Sequence, residues 1–236
     1  MAKIFITGSA DGLGRLAAKE LVKGGHEVVL HARDAGRGQE ALKSVHGAAD
    51  VLIGDLADVE ATKALAEKAN LLGTFDAVIH NAGVYQAGAQ QLLYVNTLAP
   101  YLLTAMMHRP KRLVYLSSAM HLSGRPEWTE RPSYSDTKLH VLMLAKALAR
   151  KWSKVYANAV DPGWVPTKMG GAGAPDDLLK GYQTQVWLAA SNDAGAMVSG
   201  QYFHHQKPAR YNHSADDRAM QERLLENCAR LTGVSL

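Results

Sequence analysis

Hydrophobic and polar residues form two alternating kinds of segment along this chain. Short runs rich in Val, Ile and Phe are continuously apolar, which is typical of strands covered on both faces of a sheet. Longer segments carry apolar residues at the spacing of a helix that buries one face. Strands are therefore predicted at residues 3–7, 26–32, 49–55, 75–80, 111–117, 155–160 and 199–204. Helices are predicted at residues 13–24, 35–45, 58–70, 91–107, 132–152 and 178–190.

The alternation of strand and helix predicts an α/β fold, a doubly wound parallel sheet with helices on both faces. A last helix is expected to begin near Ser214, which stands at capping-box spacing from Asp217. The apolar stripe of this helix predicts that it closes over the core. The stripe consists of Met220, Leu224, Cys228 and Leu231.

Composition narrows the class of protein. A chain of 236 residues with 47% hydrophobic content can bury one sizeable core, so one domain over residues 1–236 is expected. The net charge is +4 and the basic residues are dispersed, which favours a small anionic ligand over nucleic acid. No apolar stretch reaches 18 residues and no secretory signal is visible. Cys228 is the only cysteine, which suits a reducing cytoplasm.

A glycine-rich turn follows the first predicted strand and opens the first helix. In the segment ITGSADGLGR, residues 6–15, Gly8 permits the tight turn and Gly12 lets the backbone approach a pyrophosphate. Gly14 allows the helix to pack closely on the sheet, and the helix N-terminus attracts the anion. A tight turn without a ligand is the alternative, but the strand before it and the helix after it favour a dinucleotide site.

The predicted helix at residues 132–152 has an unusual apolar face. From Tyr134 onward, helical steps place Lys138 among the apolar or small residues Val141, Ala145 and Leu148. A lysine there loses hydration and lies in the first turns, where the helix dipole disfavours a cation. Either Lys138 is a surface lysine whose ammonium reaches solvent, or it has a functional partner.

Seven motifs in order resemble the classical short-chain dehydrogenase/reductase family, over about residues 3–203. They are TGSADGLG at 7–14, GDL at 54–56, NAG at 81–83, VNTLAPY at 95–101, LSS at 116–118, Tyr134 with Lys138, and DPGWVPT at 161–167. The resemblance implies a Rossmann-type fold that binds NAD or NADP along the carboxyl ends of the strands. The residues that it assigns to the cofactor, besides Tyr134 and Lys138, are Gly8, Asp11, Gly12, Leu13, Gly14, Asp55, Leu56, Asn81, Ala82, Gly83, Pro162, Gly163, Val165 and Thr167.

The end of the second strand, VVLHARD, indicates which cofactor is preferred. An NAD enzyme needs a carboxylate here for the ribose hydroxyls, whereas the 2′-phosphate of NADP would be repelled by one. Ala32 stands at that position and Arg33 follows it, while Asp34 is expected to cap the next helix. NADP is therefore predicted, with Arg33 as the phosphate contact and Arg37 or Arg15 as helpers.

The resemblance also implies a catalytic set. Lys138 would bind the nicotinamide ribose and lower the pKa of Tyr134, the proton donor, from its ordinary value of about 10. Ser118, or one residue earlier Ser117, would hydrogen-bond the substrate oxygen. Asn96 would hold a water in a proton relay; the alternative is a buried amide satisfied by backbone.

The reaction implied is reversible reduction of a ketone or aldehyde to an alcohol, with NADPH preferred over NADH. A catalytically silent NADP-binding regulator is the main alternative, and a sugar-nucleotide epimerase needs a larger C-terminal region than this chain has. Dimers or tetramers are common in the family, but no residue pattern here indicates the oligomeric state. No metal is expected, because His204, His205 and His213 lack a carboxylate at ligand spacing.

Two segments depart from the family pattern and concern the substrate pocket. Only 15 positions separate Asn81 from Asn96, which shortens one pocket wall, and 16 separate Ser118 from Tyr134. The longer connection carries His121, Arg125 and Trp128, of which the histidine and tryptophan are candidate pocket residues, together with Trp164. Each of the three also suits a packing or surface position. The glycine-rich segment 169–177 suits either a mobile lid or a surface connection.

Overall fold

The computed structural model describes all 236 residues. The strands are β1 (Lys3–Ile6), β2 (Glu27–Ala32), β3 (Asp50–Ile53), β4 (Ala77–His80), β5 (Arg112–Leu116), β6 (Tyr156–Asp161), β7 (Tyr202–His204) and β8 (Lys207–Pro208). The α-helices are α1 (Gly12–Lys23), α2 (Ala35–Ser44), α3 (Val59–Leu71), α4 (Ala89–Leu93), α5 (Ala99–Met106), α6 (Tyr134–Lys151), α7 (Leu178–Ala190) and α8 (Arg218–Thr232). No helix among them has both the length and the apolar character needed to cross a membrane.

All strands join one open sheet in the order β3-β2-β1-β4-β5-β6-β7-β8. Every pair is parallel except β7 with β8. The chain leaves β1 in one direction to build β2 and β3 and returns to the other side with β4, so the strand order reverses between β1 and β4. In such sheets a crevice opens at the carboxyl ends of the strands beside the reversal.

The core lies in two layers, one on each face of the sheet. The larger layer of 35 buried residues packs α3, α5, α6 and α8 against one face. The smaller layer of 17 residues packs α1, α2 and α7 against the other. The predicted doubly wound α/β fold is therefore confirmed, and α8 covers the larger layer with Leu224, Leu225 and Cys228 as the stripe in its sequence predicts.

Helix α6 begins with a full capping box. The Ser133 hydroxyl accepts from the backbone N–H of Asp136, and the Asp136 carboxylate accepts from the backbone N–H of Ser133. This pairing satisfies N–H groups that no helical carbonyl can reach, and it fixes where the helix starts. Tyr134 consequently stands in the first turn, with Lys138 one turn later on the same side.

Three predicted elements differ in the structure. The helix predicted at 91–107 is divided by a π-helical turn at Tyr94–Leu98, because Pro100 has no N–H to donate to the Asn96 carbonyl. The strand predicted at 199–204 is shortened to Tyr202–His204. Asp217, rather than Ser214, caps α8, since Ser214 belongs to a short 3₁₀ turn that Asn212 caps.

Candidate active site

A cavity of about 410 Å³ opens at the carboxyl ends of the strands, beside the strand reversal. Of the residues assigned from the sequence, those that line it are Gly8, Asp11, Gly12, Leu13, Arg33, Asp55, Leu56, Asn81, Ala82, Gly83, Tyr134, Lys138, Pro162 and Thr167. Segments far apart in the chain meet here because each follows a parallel strand, and parallel strands end at one edge of the sheet.

The glycine-rich turn is shaped by close contacts with the segment after β4. Gly8 has a φ of +64°, and a Cβ there would lie 2.9 Å from Ala82 Cα. A Cβ on Gly14 would lie 2.6 Å from the Gly8 carbonyl oxygen and would also collide with the Asn81 amide. Only glycine fits either position without displacing backbone. Gly12 is different, since only Thr167 comes within 4 Å of a Cβ added there, so its backbone faces the open cavity.

Asp11 caps α1 and lies close to three cationic side chains at the cavity. Its Oδ1 accepts from the Gly12 N–H at 2.8 Å, and its carboxylate pairs with Lys168 at 2.6 Å and with Arg37 at 3.8 Å. Arg15 approaches it at 3.9 Å but does not line the cavity. The hydrogen bond from Lys168 is the main reason that the pKa of Asp11 lies below its ordinary value. The pair with Lys168 holds the loop after β6 next to the N-terminus of α1.

Beyond β2 the cavity wall is basic. Arg33 and Arg37 both line it and have exposed side chains, and Ala32 leaves no carboxylate at the strand end. Asp34 accepts the Arg37 backbone N–H at 2.9 Å and caps α2, which confirms its predicted capping role. Its carboxylate lies 3.8 Å from Arg33, an exposed pair that a stronger anion can displace.

Lys138 is a buried cation, not a surface lysine. Its side chain lies beside Gly83, and the residue is only 5% exposed. Its Nζ donates to the Leu116 carbonyl at 2.9 Å and lies 5.4 Å from the centre of the Tyr134 ring. Burial lowers the pKa of Lys138 to about 8. The structure therefore supports a functional partner for Lys138 in place of the solvent contact that was its alternative.

The pKa of the Tyr134 phenol differs from the predicted one. Burial raises its pKa to about 12, a hydrogen bond with Ser118 opposes this, and the charge of Asp161 adds to it. The prediction that the pKa of Tyr134 lies below its ordinary value is therefore wrong. The reason is that the ammonium is bonded to the Leu116 carbonyl and lies over the ring, so the loss of hydration dominates.

The two serines of the LSS motif point to different partners. Ser117 is buried and its hydroxyl donates to the backbone carbonyl of Lys138 at 2.7 Å. Ser118 is partly exposed, accepts from the Met120 N–H at 3.2 Å, and lies close enough to the Tyr134 phenol to lower its pKa. Ser118 is thus the serine beside the phenol, whereas Ser117 fixes the helix that carries the lysine.

Asn96 uses its amide on the protein itself. Its oxygen accepts from the Val84 N–H at 2.8 Å, and its nitrogen donates to the Val84 carbonyl at 2.9 Å and to Thr137 at 3.1 Å. This is the backbone-satisfied amide that was the alternative to a water relay. Gly83, whose added Cβ would lie 3.2 Å from Lys138 Nζ and 3.4 Å from Asn96 Oδ1, sits between the two side chains.

Comparisons with known proteins decide the family. The sequence model described as short chain dehydrogenase matches residues 2–177. The chain belongs to the short-chain dehydrogenase family. An uncharacterized oxidoreductase of Emericella nidulans is 45% identical, with 100% of this chain and 99% of that protein covered. The short-chain dehydrogenase chry4 of Gibberella zeae is 39% identical with the same coverage. This short-chain dehydrogenase is accordingly an oxidoreductase.

Solved structures show the same fold. An uncharacterized protein from Mycobacterium paratuberculosis superposes with a TM-score of 0.81 at 23% identity, covering 100% of this chain and 94% of that one. A blue fluorescent protein from a metagenomic library, solved with NADPH, gives 0.74 at 20% identity, covering 86% and 95%. A 3-ketoacyl-(acyl-carrier-protein) reductase from Brucella melitensis, solved with NADH, gives 0.72 at 20%, covering 86% and 96%.

The cavity of this short-chain dehydrogenase fits a dinucleotide. The α1 N-terminus suits a pyrophosphate, because a Cβ at Gly12 would meet only Thr167 and because the carboxylate of Asp11, which accepts the Gly12 N–H, is paired with Lys168 and Arg37. Arg33 lies beyond β2 and Lys138 lies beside β5, three strand spacings apart in the sheet, or about 14 Å. That span suits an extended ligand with an anionic end and a sugar near the lysine.

Several assigned or candidate residues lie outside the cavity lining, among them Gly14, Asn96 and Ser118, whereas Ser117 lines it. Val165 is buried against Gly181 of α7, and Gly163 forms the turn before it. His121 is fully buried and connects the Ser118 carbonyl to the Asn212 N–H, and Trp128 stacks on His140. Both are packing residues. Trp164 is 60% exposed on the loop after β6.

The sequence did not identify every residue of the cavity wall. The additional lining residues are Ala10, His31, Val84, Gln91, Val95, Leu116, Lys168 and Met169. Met169 and Lys168 place the start of the glycine-rich segment 169–177 at the cavity. Lys168 directly follows Thr167 of a recognised motif, so its position was the available signal. His204 pairs with Asp161 and His213 with Asp216, and no group of three metal-ligating side chains occurs.

Proposed function

We propose that this short-chain dehydrogenase is an NADP(H)-dependent carbonyl reductase that acts reversibly on a small ketone or aldehyde. The observation that carries the proposal is the buried Lys138 ammonium beside the Tyr134 phenol and Ser118, in a cavity with two arginines beyond β2. A buried cation next to a phenol has a large desolvation cost and is typical of a site that moves protons.

The positive charges that follow β2 support NADPH as the preferred cofactor. Arg33 can present two N–H groups to a phosphate, and Arg37 also lines this part of the cavity. Ala32 stands where a carboxylate would favour the ribose hydroxyls of NADH. A structural neighbour solved with NADPH and another solved with NADH show that the fold accepts both. The arginines at the end of β2 are therefore the basis of the preference.

Proton transfer is assigned to Tyr134. Bound NADPH supplies the hydride that the carbonyl carbon receives. Tyr134 gives its phenolic proton to the carbonyl oxygen, and in the reverse direction the phenolate takes the proton back. With a pKa of about 12, the phenol holds its proton throughout the neutral range, as a proton donor must. Ser118, which lies near the phenol, orients the substrate oxygen toward it.

Lys138 stabilises the phenolate that remains after this transfer. Opposite charges at this separation attract strongly where water is excluded, and with a pKa of about 8 the lysine is mostly protonated at neutral pH. Ser117 and Asn96 support the pair: Ser117 bonds the Lys138 backbone, and Asn96 holds Val84 and Thr137 around it. Asn96 is thus proposed as a support for the site rather than a proton carrier through its amide.

The test is NADPH oxidation against a panel of ketones and aldehydes with wild-type protein and Tyr134→Phe. The variant is expected to bind NADPH with unchanged affinity and to lose about 10²–10⁴-fold in kcat. Tyr156→Phe, which alters an exposed phenol at the start of β6, is the matched control and keeps full activity. Full activity in Tyr134→Phe would assign the proton to another group.

The same assay separates the enzyme from a silent NADP-binding regulator. A regulator binds NADPH but turns over no carbonyl. The retained phenol, buried lysine and neighbouring serine favour the enzyme, because a binding protein has no use for a buried ammonium beside a phenol. NADPH binding without oxidation across the whole panel would favour the regulator.

A further inference from the structure

His31 is buried in the wall of the cofactor cavity, in a place that no motif marks. It is the penultimate residue of β2, pairs with Leu52 of β3 and is only 3% exposed. Both ring nitrogens have backbone partners from loops on either side. The Gly8 N–H donates to Nδ1 at 2.9 Å, and Nε2 lies 2.9 Å from the Gly54 carbonyl oxygen.

These contacts define one tautomer. Because Nδ1 accepts from an N–H, it carries no proton, so the proton is on Nε2 and is donated to Gly54. The backbone of the same residue adds a third connection: the His31 N–H donates to Ser9 Oγ at 2.8 Å, and Ser9 Oγ donates to the Ile6 carbonyl at 2.9 Å. The turn at Gly8 and Ser9 is therefore held against β2 by two separate bonds.

The two loops that His31 connects form different parts of the cavity. Gly8 belongs to the turn that leads into the α1 N-terminus, where a pyrophosphate fits, and Gly54 directly precedes Asp55 and Leu56, which line the far wall. Gly8 has a left-handed backbone with φ +64°, and glycine has the most conformational freedom to lose when a segment is ordered. A side chain that fixes this turn removes the ordering cost from ligand binding.

We propose that His31 is a positioning residue of the cofactor site, a neutral side-chain bridge that sets the spacing between the glycine-rich turn and the loop after β3. This role of His31 depends on the proposed function in one respect: the ligand that spans the two loops is taken to be a nicotinamide dinucleotide. His31 does not touch the reacting atoms and acts through the backbone of Gly8 and Gly54.

The main test compares His31→Phe with wild type. Phenylalanine keeps a ring in the space but removes both bridging bonds, so the Kd for NADPH is expected to rise at least tenfold, an order-of-magnitude estimate from the ordering cost of a freed turn. In the cofactor-free protein, amide hydrogen exchange at Gly8 should accelerate. A merely structural role would lower stability without a selective change at this amide.

His26→Phe is the matched control. His26 stands immediately before β2, at the opposite end of the strand, and its Nδ1 also accepts a backbone N–H, that of Ala2 at 3.2 Å. It is outside the cavity lining. This variant makes the same chemical change on the same strand, and its Kd for NADPH should equal that of wild type even where its stability falls.

His31→Asn separates the two bonds and covers the case in which His31→Phe does not fold. The asparagine oxygen can occupy the position of Nδ1 and accept from Gly8, whereas its shorter side chain cannot reach Gly54. Gly8 should therefore remain protected from exchange, and the NADPH affinity should lie between those of wild type and His31→Phe. Fast exchange at Gly8 together with wild-type affinity would overturn the bridge.

Failure of the bridge and failure of the proposed function give different results. If wild-type protein binds neither NADPH nor NADH, the proposed function fails, and hydrogen exchange at Gly8 without cofactor still decides whether His31 fixes the turn. If wild type binds NADPH and His31→Phe binds it equally well, the function stands and the positioning role of His31 is overturned.

Discussion

Arg33 is the residue on which the cofactor preference depends. Its guanidinium is exposed and meets only the carboxylate of Asp34 at 3.8 Å, a weak pair. A phosphate dianion in the same place would receive charge-assisted, two-pronged hydrogen bonds. The cost of separating Arg33 from Asp34 is small, because Asp34 is independently held by the Arg37 backbone N–H at the cap of α2. The strand end is therefore ready to accept a phosphate.

Arg33→Ala is expected to weaken NADPH binding and leave NADH binding unchanged. Losing charge-assisted hydrogen bonds of about 1.5–3 kcal/mol corresponds to a Kd increase of roughly 10- to 100-fold. Titration of both cofactors by protein fluorescence measures it. Arg109→Ala, which removes an arginine stacked on Trp152 outside the cavity lining, should change neither affinity. Equal affinities for NADPH and NADH that persist in Arg33→Ala would contradict the proposed preference.

Single residues were predictable from the sequence where a local motif fixes their backbone. Gly8 and Gly12 of the first turn, and Tyr134 with Lys138, line the cavity as expected, because their spacing within one element sets their geometry. The contacts of His31 and Lys168 were not predictable, since their partners Gly54 and Asp11 lie 23 and 157 positions away. The pKa of Tyr134 was predicted in the wrong direction, because burial outweighs a nearby charge and burial is a property of the fold.

At the scale of elements, helix α6 organises the catalytic side of the cavity. It presents Tyr134 and Lys138 to the cavity while its opposite flank packs in the larger core layer. Its first turn is secured by Asp136, which is only 1% exposed and accepts the backbone N–H groups of Ser133 and Arg125, each at 2.8 Å. Burial opposes ionisation of this carboxyl, but the hydrogen bonds outweigh it and its pKa lies below the ordinary value.

Asp136→Ala is expected to destabilise the protein by about 2–4 kcal/mol, because two backbone N–H groups lose a charged acceptor that is itself buried. The start of α6 should fray and move Tyr134, so kcat should fall more than KM rises. Urea unfolding and steady-state kinetics measure the two effects. Asp58→Ala, at the exposed cap of α3, is the control, with an expected loss of about 1 kcal/mol and unchanged kcat. Equal losses in both variants would show that Asp136 is an ordinary cap.

Element order was predictable from hydrophobic periodicity, whereas interruptions and ends were not. The strands and helices that build the parallel sheet are present as expected, because continuous apolar runs and helical stripes directly reflect burial. The π-helical turn at Tyr94–Leu98 was missed although Pro100 was visible, since a proline also suits the first turn of a new helix. The β7–β8 pairing was missed because a two-residue strand leaves almost no pattern.

At the scale of the whole molecule, buried neutral histidines couple the fold to pH. His31, His80 and His140 are each at most 5% exposed, and burial lowers their pKa values to about 4, 3 and 4. His31 has backbone partners for both nitrogens, while one nitrogen of His80 and one of His140 face no partner. Each ring is thus stable in the folded protein only without charge.

Acid is therefore expected to destabilise the protein between pH 6.5 and about 4. In this window the unfolded chain protonates these three histidines, with ordinary pKa values near 6.5, that the folded chain keeps neutral. Burial also lowers the pKa values of His26, His121 and His205, which act in the same direction. The unfolded state binds more protons, so the free energy of unfolding falls as the pH falls, by up to about 4 kcal/mol per pH unit. Urea unfolding between pH 7 and 5 measures this slope, and an unchanged free energy over that range would contradict it.

Replacing one of the three histidines tests the origin of this slope. His80→Gln retains a polar contact for Thr104, which lies 3.2 Å from Nε2, and removes one titrating ring, so the slope should fall by up to about 1.4 kcal/mol per pH unit. His46→Gln, at an exposed position after α2, should leave the slope unchanged. A slope that is equal in wild type and His80→Gln would place the acid sensitivity in other groups.

The carboxylates whose pKa values are lowered in the folded protein, such as Asp76 and Asp136, destabilise it only at lower pH, as they protonate. The histidines therefore account for the first loss of stability on acidification.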